Sequence, residues 1–171
     1  MRRRDFLIVT GALASPLAPA AAALAQGRAG APDLVIYDAR YDACRRFAGA
    51  LAARGSTTAP AHTDVARLWY GPLRARAAGA GIAGLTTWAD FQVIRGCAAE
   101  ARLTLRHVAF HGSAGAHRIE RGDRRTLPAL TAAGADWPEA LAGLIGGAPA
   151  RSSPAPQPNP RRGALVSWHL A

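Results

Sequence analysis

The sequence predicts an α/β domain, a three-layer sandwich around a mostly parallel, possibly mixed sheet of about five strands. Short apolar runs of strand length alternate along the chain with segments whose apolar residues recur at helical spacing. Helix-capping residues stand immediately before two of the helical segments. This alternation is typical of sheets that carry helices on both faces.

The first half of the chain predicts two strand–helix units and a third strand. The first helix places Cys44, Phe47 and Leu51 on one face and ends at Gly55. The second helix should be kinked, because Pro72 lacks an N–H group and its ring clashes with the preceding turn. The predicted elements are strands at 33–38, 57–62 and 81–86 and helices at 41–54 and 64–78.

The second half predicts two capped helices and two further strands. Thr87 and Asp90 form a capping-box pattern, and Asp136 with Glu139 forms another. We expect a hairpin around Gly122-Asp123, outside the regular alternation. The predicted elements are helices at 87–102 and 136–146, strands at 103–111 and 164–169, a hairpin at 116–127, and an exposed Pro-rich loop at 147–162.

The N-terminal segment carries an export pattern. Two arginines, any residue, then Phe and Leu are followed by a run of small and apolar residues that ends in an A-x-A cleavage site. The positions are Arg3, Arg4, Phe6 and Leu7 for the export signal and Ala23 and Ala25 for the cleavage site. This stretch resembles twin-arginine (Tat) signal peptides.

The resemblance implies a bacterial protein that crosses the Tat translocase already folded and is delivered to the periplasm. Residues 1–25 are then the signal peptide, and residues 26–171 form a single domain. The alternative is a membrane anchor, since 6–25 is just long enough to span a bilayer. Pro16 and Pro19 interrupt the run, so we expect cleavage and no stable membrane anchor afterwards.

The chain is strongly basic, with a formal net charge of +10. A basic chain suits an anionic partner such as nucleic acid or a membrane surface. The arginines are scattered, however, whereas a nucleic-acid surface needs basic residues clustered or interleaved with aromatic ones. We therefore expect no nucleic-acid partner.

Two cysteines, Cys44 and Cys97, each lie on the apolar face of a predicted helix. They are either buried as small apolar side chains or joined by a disulfide, which an oxidising compartment would preserve. The sequence leaves both open.

Three patterns suggest chemistry without completing it. Gly79–Gly84 matches G-x-G-x-x-G, but it enters a predicted strand instead of opening a helix as dinucleotide binding requires. Ser113 has Gly115 at +2 but His111 at −2, so the nucleophile elbow of hydrolases is incomplete. His107 and His111 share one strand face but lie roughly 13 Å apart, too far to hold one metal ion. We expect no metal site, and the sequence identifies no cofactor.

The best candidate site follows from fold geometry. In parallel α/β sheets, ligands bind beyond the carboxyl ends of the strands. Asp38 and His111 could form an acid–base pair there. The other candidate ligand-binding residues at these strand ends are Arg40, Tyr41, Thr86, Thr87, Trp88 and Ser113.

These observations favour a periplasmic small-ligand-binding or accessory protein, with a possible periplasmic protein partner. The alternative is a small periplasmic enzyme that uses the Asp38–His111 pair. A cofactor carrier is a third class, for which the sequence shows no ligand motif.

Overall fold

One mixed sheet organises the part of the chain that the structure describes. This structure is a computed structural model, and it describes residues 30–61, 64–74, 81–112, 115–147 and 165–171. The predicted signal peptide and residues 148–162 of the predicted Pro-rich loop lie outside these ranges. The six strands are β1 (Leu34–Asp38), β2 (Thr57–Ala61), β3 (Ile82–Thr87), β4 (Leu105–His111), β5 (His117–Arg121) and β6 (Leu165–Leu170), in the order β2-β1-β3-β6-β4-β5.

The directions of the strands correct the expected sheet. β1 is parallel to β2 and β3, but β6 is antiparallel to both β3 and β4, and β5 is antiparallel to β4. The α/β class and the mixed character of the sheet are confirmed, whereas the sheet has six strands instead of about five and is not mostly parallel. Because β4 is antiparallel to β6, it runs in the same direction as β3. The strands β1 to β4 therefore all end at one edge, which we call the carboxyl edge.

Five α-helices accompany the described strands. They are α1 (Asp42–Ala52), α2 (Val65–Leu68), α3 (Trp88–Glu100), α4 (Leu127–Ala132) and α5 (Trp137–Ile145). The kink predicted after α2 is confirmed, since Gly71 leaves the helical region with ψ −124° inside a π-turn. Of the predicted helix 64–78, residues 75–78 lie outside the described ranges.

The predicted hairpin turn at Gly122-Asp123 is wrong. The hairpin joins β4 to β5, and its turn is closed by the Gly112 N–H, which donates to the Ala116 carbonyl at 2.7 Å. Gly122, at φ +114°, instead ends β5. Asp123 then caps a 3-10 turn by accepting the Arg125 N–H at 2.9 Å. The two glycine-containing stretches carry similar turn signals, and only strand pairing distinguishes them.

Each face of the sheet carries its own apolar cluster. On the α3 face, Ile36, Trp168 and Val108 pack with Phe91 and Ile94 of α3. On the α1 face, Val35 and Leu85 pack with residues of α1 and α5. The Trp168 ring lies directly over Gly84, where a Cβ would also lie 2.7 Å from the Ile36 carbonyl oxygen. Gly84 therefore serves packing inside β3, and Gly79 of the G-x-G-x-x-G match lies outside the described ranges.

The two cysteines are free and buried. Cys44 belongs to the cluster on the α1 face and Cys97 to the cluster on the α3 face. The sheet lies between them, which excludes the disulfide alternative. Burial raises the pKa of the Cys44 thiol to about 12, so this thiol is unreactive at neutral pH.

Candidate functional site

Chain topology creates a switch point at the carboxyl edge between β1 and β3. These strands are neighbours, yet the chain leaves β1 for α1 on one face and leaves β3 for α3 on the other. Such a switch point is where ligands bind in open α/β sheets. Asp38 ends β1 and is followed by Arg40 and Tyr41, while Thr87 ends β3 and Trp88 begins α3.

Asp38 and Arg40 form an ion pair at this switch point. The Asp38 carboxylate is fully buried and accepts hydrogen bonds from the Arg40 backbone N–H (3.0 Å) and from its guanidinium Nη2 (2.6 Å). These bonds raise the pKa of Arg40 above its usual value. The Arg40 side chain is 69% exposed and lies 5.9 Å from the centre of the Tyr41 ring. The pair thus places an exposed guanidinium, whose charge Asp38 balances, beside an exposed aromatic ring.

Two of the predicted residues have structural roles. The Thr87 hydroxyl accepts the Asp90 N–H at 3.3 Å and donates to its carboxylate at 2.7 Å, which caps α3. Thr86 is fully buried, and its hydroxyl accepts the Trp168 indole N–H at 3.1 Å. Thr86 therefore offers no group to a ligand. Ser113 lies outside the described residues.

The expected acid–base pair of Asp38 and His111 is not formed. Both residues lie at the carboxyl edge, but β3 and β6 separate their strands, which places them about 14 Å apart. Their side chains also point to opposite faces of the sheet, because alternate residues of a strand share a face. Asp38 lies two residues after Ile36 and shares the α3 face with it, whereas His111 lies two residues after Ala109 and shares the α1 face with it. Proton transfer between them is excluded by this geometry.

His111 instead belongs to a hydrogen-bonded chain on the α1 face, in which His107 is half-buried and the other members are buried. Its Nε2 lies 2.7 Å from the Ser167 hydroxyl, which also lies 2.9 Å from Nε2 of His107. Its Nδ1 lies 2.9 Å from Nδ1 of His117. The His111 ring stacks on Trp137 of α5, with centroids 4.4 Å apart and planes at 14°. We call His107, Ser167, His111 and His117 the histidine chain.

All the hydrogen bonds of the histidine chain must run in the same direction. Ser167 has one proton, so it donates to one histidine and accepts from the other, and one of the two facing Nδ1 atoms must donate. The bonds therefore run either from His107 to His117 or in the reverse order. In both cases Nε2 of His117 is buried and has no hydrogen-bond partner among the described residues.

The histidine chain is held in its neutral form. Burial lowers the pKa of His107 to about 4, with a smaller effect from His169. Burial lowers the pKa of His111 well below its usual value, and His117 and His107 add to this effect. Burial also lowers the pKa of His117. Sequence reasoning missed Ser167 as a member, because its contact with β4 depends on the strand order.

A cleft opens on the α3 face, between α3 and the β4–β5 hairpin. Its volume is about 360 Å³, within the range of small-molecule sites. Trp88, the first residue of α3, is 43% exposed. The cleft is lined by Trp88, Phe91, Arg95, Leu105, Val108, Glu120 and Arg121.

A β-bulge supplies the polar wall of this cleft. Opposite Val108 and Ala109 of β4, strand β5 carries an extra residue, Glu120, between the paired Ile119 and Arg121. A bulge re-aims side chains, so both Glu120 and Arg121 reach the cleft. Sequence reasoning identified Trp88 but missed these residues, because the bulge is a property of strand pairing.

The described ranges contain no group of three or more His, Cys, Asp or Glu residues arranged to hold a metal ion. Among the same residues, no helix is long and apolar enough to cross a bilayer. In comparisons with known proteins, no family model, curated protein or solved structure matches this chain.

Proposed function

We propose that this chain is a periplasmic small-ligand-binding or accessory protein, exported folded by the Tat translocase and built as a three-layer α/β sandwich. The export part of the proposal rests on the twin-arginine pattern and cleavage site of residues 1–25. The helices α1 and α3, packed against opposite faces of the sheet, support the layered arrangement.

The cleft beside Trp88 is the observation that carries the binding function. The cleft is preformed, because the Trp88 ring contacts the rings of Phe91 and Phe110. The centroid of the Trp88 ring lies 5.5 Å from that of Phe91 and 5.3 Å from that of Phe110. A half-exposed tryptophan beside charged side chains is typical of a ligand pocket, where an apolar wall gives affinity and a few polar groups give orientation.

The enzyme alternative loses its basis with the separation of Asp38 from His111. The groups nearest to catalytic chemistry are then those of the histidine chain, and Ser167 is fully buried there. A buried hydroxyl is not accessible to a substrate. Binding is therefore the function that the geometry supports best.

Native mass spectrometry of the protein purified from the periplasm of its own host tests this proposal. We expect a mature chain that begins at Gln26 and carries a small-molecule mass that is lost on denaturation. The Trp88→Leu variant should lose that mass, and Arg67→Gln, an exposed arginine of α2 outside the cleft, should retain it. A co-purifying protein in fixed ratio would assign the accessory role. A bare mature chain that also takes up nothing from periplasmic extract would overturn both roles.

A further inference from the structure

We infer that the cleft between α3 and the β4–β5 hairpin binds a planar aromatic monocarboxylate, its ring stacked on Trp88 and its carboxylate held by Arg95 and Arg121. This inference rests on the proposed binding function and names the class of ligand for the same site. The shape of the apolar wall, the charge of the polar wall and the bulge each contribute to it.

The apolar wall favours a flat ring. Trp88 is fixed by ring contacts with Phe91 and Phe110, and Arg118 in turn lies 4.7 Å from the centre of the Phe110 ring. The exposed part of the indole is thus a rigid surface that loses little freedom when a ligand stacks on it. Offset stacking of aromatic rings adds to the gain from apolar burial.

The polar wall favours a single negative charge. Arg95 of α3 and Arg121 of β5 line the cleft together with one carboxylate, that of Glu120. The lining charges sum to +1. Guanidinium groups bind carboxylates with paired, charge-assisted hydrogen bonds, which are stronger than neutral ones. Glu120 opposes a second negative charge, so it selects against dianions.

Four probes separate these features in calorimetric titrations of the purified protein. 1-Naphthoate has both the ring and the charge, 1-naphthamide has the ring alone, and cyclohexanecarboxylate has the charge alone. Naphthalene-1,4-dicarboxylate carries two charges. We expect 1-naphthoate to bind at least about tenfold more tightly than either of the two single-feature probes, the scale of one charge-assisted hydrogen bond. We also expect it to bind more tightly than the dicarboxylate.

Variants of the cleft should change the affinity for 1-naphthoate in opposite directions, which a merely structural effect would not produce. Arg121→Gln and Arg95→Gln should weaken 1-naphthoate about tenfold and leave 1-naphthamide unchanged. Glu120→Gln should strengthen 1-naphthoate and reduce the discrimination against the dicarboxylate. Trp88→Leu should weaken the binding of 1-naphthoate and of 1-naphthamide, and Arg67→Gln should change the affinity for neither. The folded state of each variant is checked by circular dichroism.

The inference is overturned if 1-naphthamide binds as well as 1-naphthoate, if no probe binds, or if the arginine variants behave like Arg67→Gln. Its failure is distinguishable from that of the proposed function. A native ligand of another class, lost from Trp88→Leu, would overturn the aromatic carboxylate and leave the binding protein intact. A chain that binds neither probes nor periplasmic molecules would overturn both.

Discussion

Acidification should destabilise this domain, because the folded state holds the three histidines of the histidine chain in their neutral form. In the unfolded chain, the pKa of a histidine lies near 6.5. Since the folded state lowers the pKa of His107 to about 4, the unfolded state binds more protons between these values. The contribution of His107 to stability is therefore complete above pH 6.5 and is lost progressively as the pH falls towards 4.

The size of the effect follows from the two pKa values of His107. Between pH 7.5 and pH 5.0, the shift from 6.5 to about 4 corresponds to a loss of about 2 kcal/mol in the free energy of unfolding. The lowered pKa values of His111 and His117 act in the same direction and enlarge the loss.

Urea denaturation followed by circular dichroism at pH 7.5 and 5.0 measures this loss. His107→Gln keeps a nitrogen donor for Ser167 but does not titrate, so the difference between the two pH values should shrink by about 2 kcal/mol. Ser167→Ala is the matched variant, because it removes the hydroxyl that both histidines contact and keeps their titration. It should lower stability at both pH values without flattening the pH dependence. Equal stability of the unmodified protein at pH 7.5 and 5.0 would refute the argument.

Three further predictions follow from the export signal, the cysteines and the packing of β3. Replacing both Arg3 and Arg4 by lysine should leave uncleaved precursor in the cytoplasm, as seen by cell fractionation, and normal delivery of this variant would contradict the Tat assignment. Thiol titration of the unfolded, non-reduced protein should find two reactive thiols, and Cys44→Ala should cost on the order of 1 kcal/mol of stability. Gly84→Ala should cost about 1–3 kcal/mol in urea denaturation, because its methyl group would overlap the Trp168 ring. Gly96→Ala in α3 is the control, since a Cβ there meets nothing within 4 Å, and an equal loss in both variants would argue against the packing role of Gly84.

Most elements could be predicted from the sequence because they depend on local patterns. The apolar runs at 33–38 and 164–169 are confirmed as β1 and β6, and the helical spacing from Cys44 to Leu51 is confirmed as α1. The start of α3 was predicted because the Thr87 cap is a property of four consecutive residues. The short α4 was not predicted, since its few residues carry too little periodicity.

The candidate site could be predicted only as far as the edge of the sheet. Asp38 and His111 do end parallel strands at one edge, as the alternation of strands and helices indicated. The face to which each side chain points depends on the pairing register of β1 and β4 through the strands between them. A shift of one residue in that register moves a side chain to the opposite face. The sequence contains no local signal for that register. For the same reason, the bulge at Glu120 and the contact of Ser167 with two histidines became visible only in the folded chain.

The place of β6 in the sheet has a consequence for how the protein is made. This strand lies between β3 and β4, yet the ribosome produces it after every other strand described. Until residues 165–170 emerge, the units β2-β1-β3 and β4-β5 each present an open strand edge, of the kind that promotes aggregation. Translation adds roughly 5–20 residues per second, so the nascent chain spends several seconds in this divided state. Under the proposed export route, the insertion of β6 is the event that turns two half-sheets into a cargo ready for translocation.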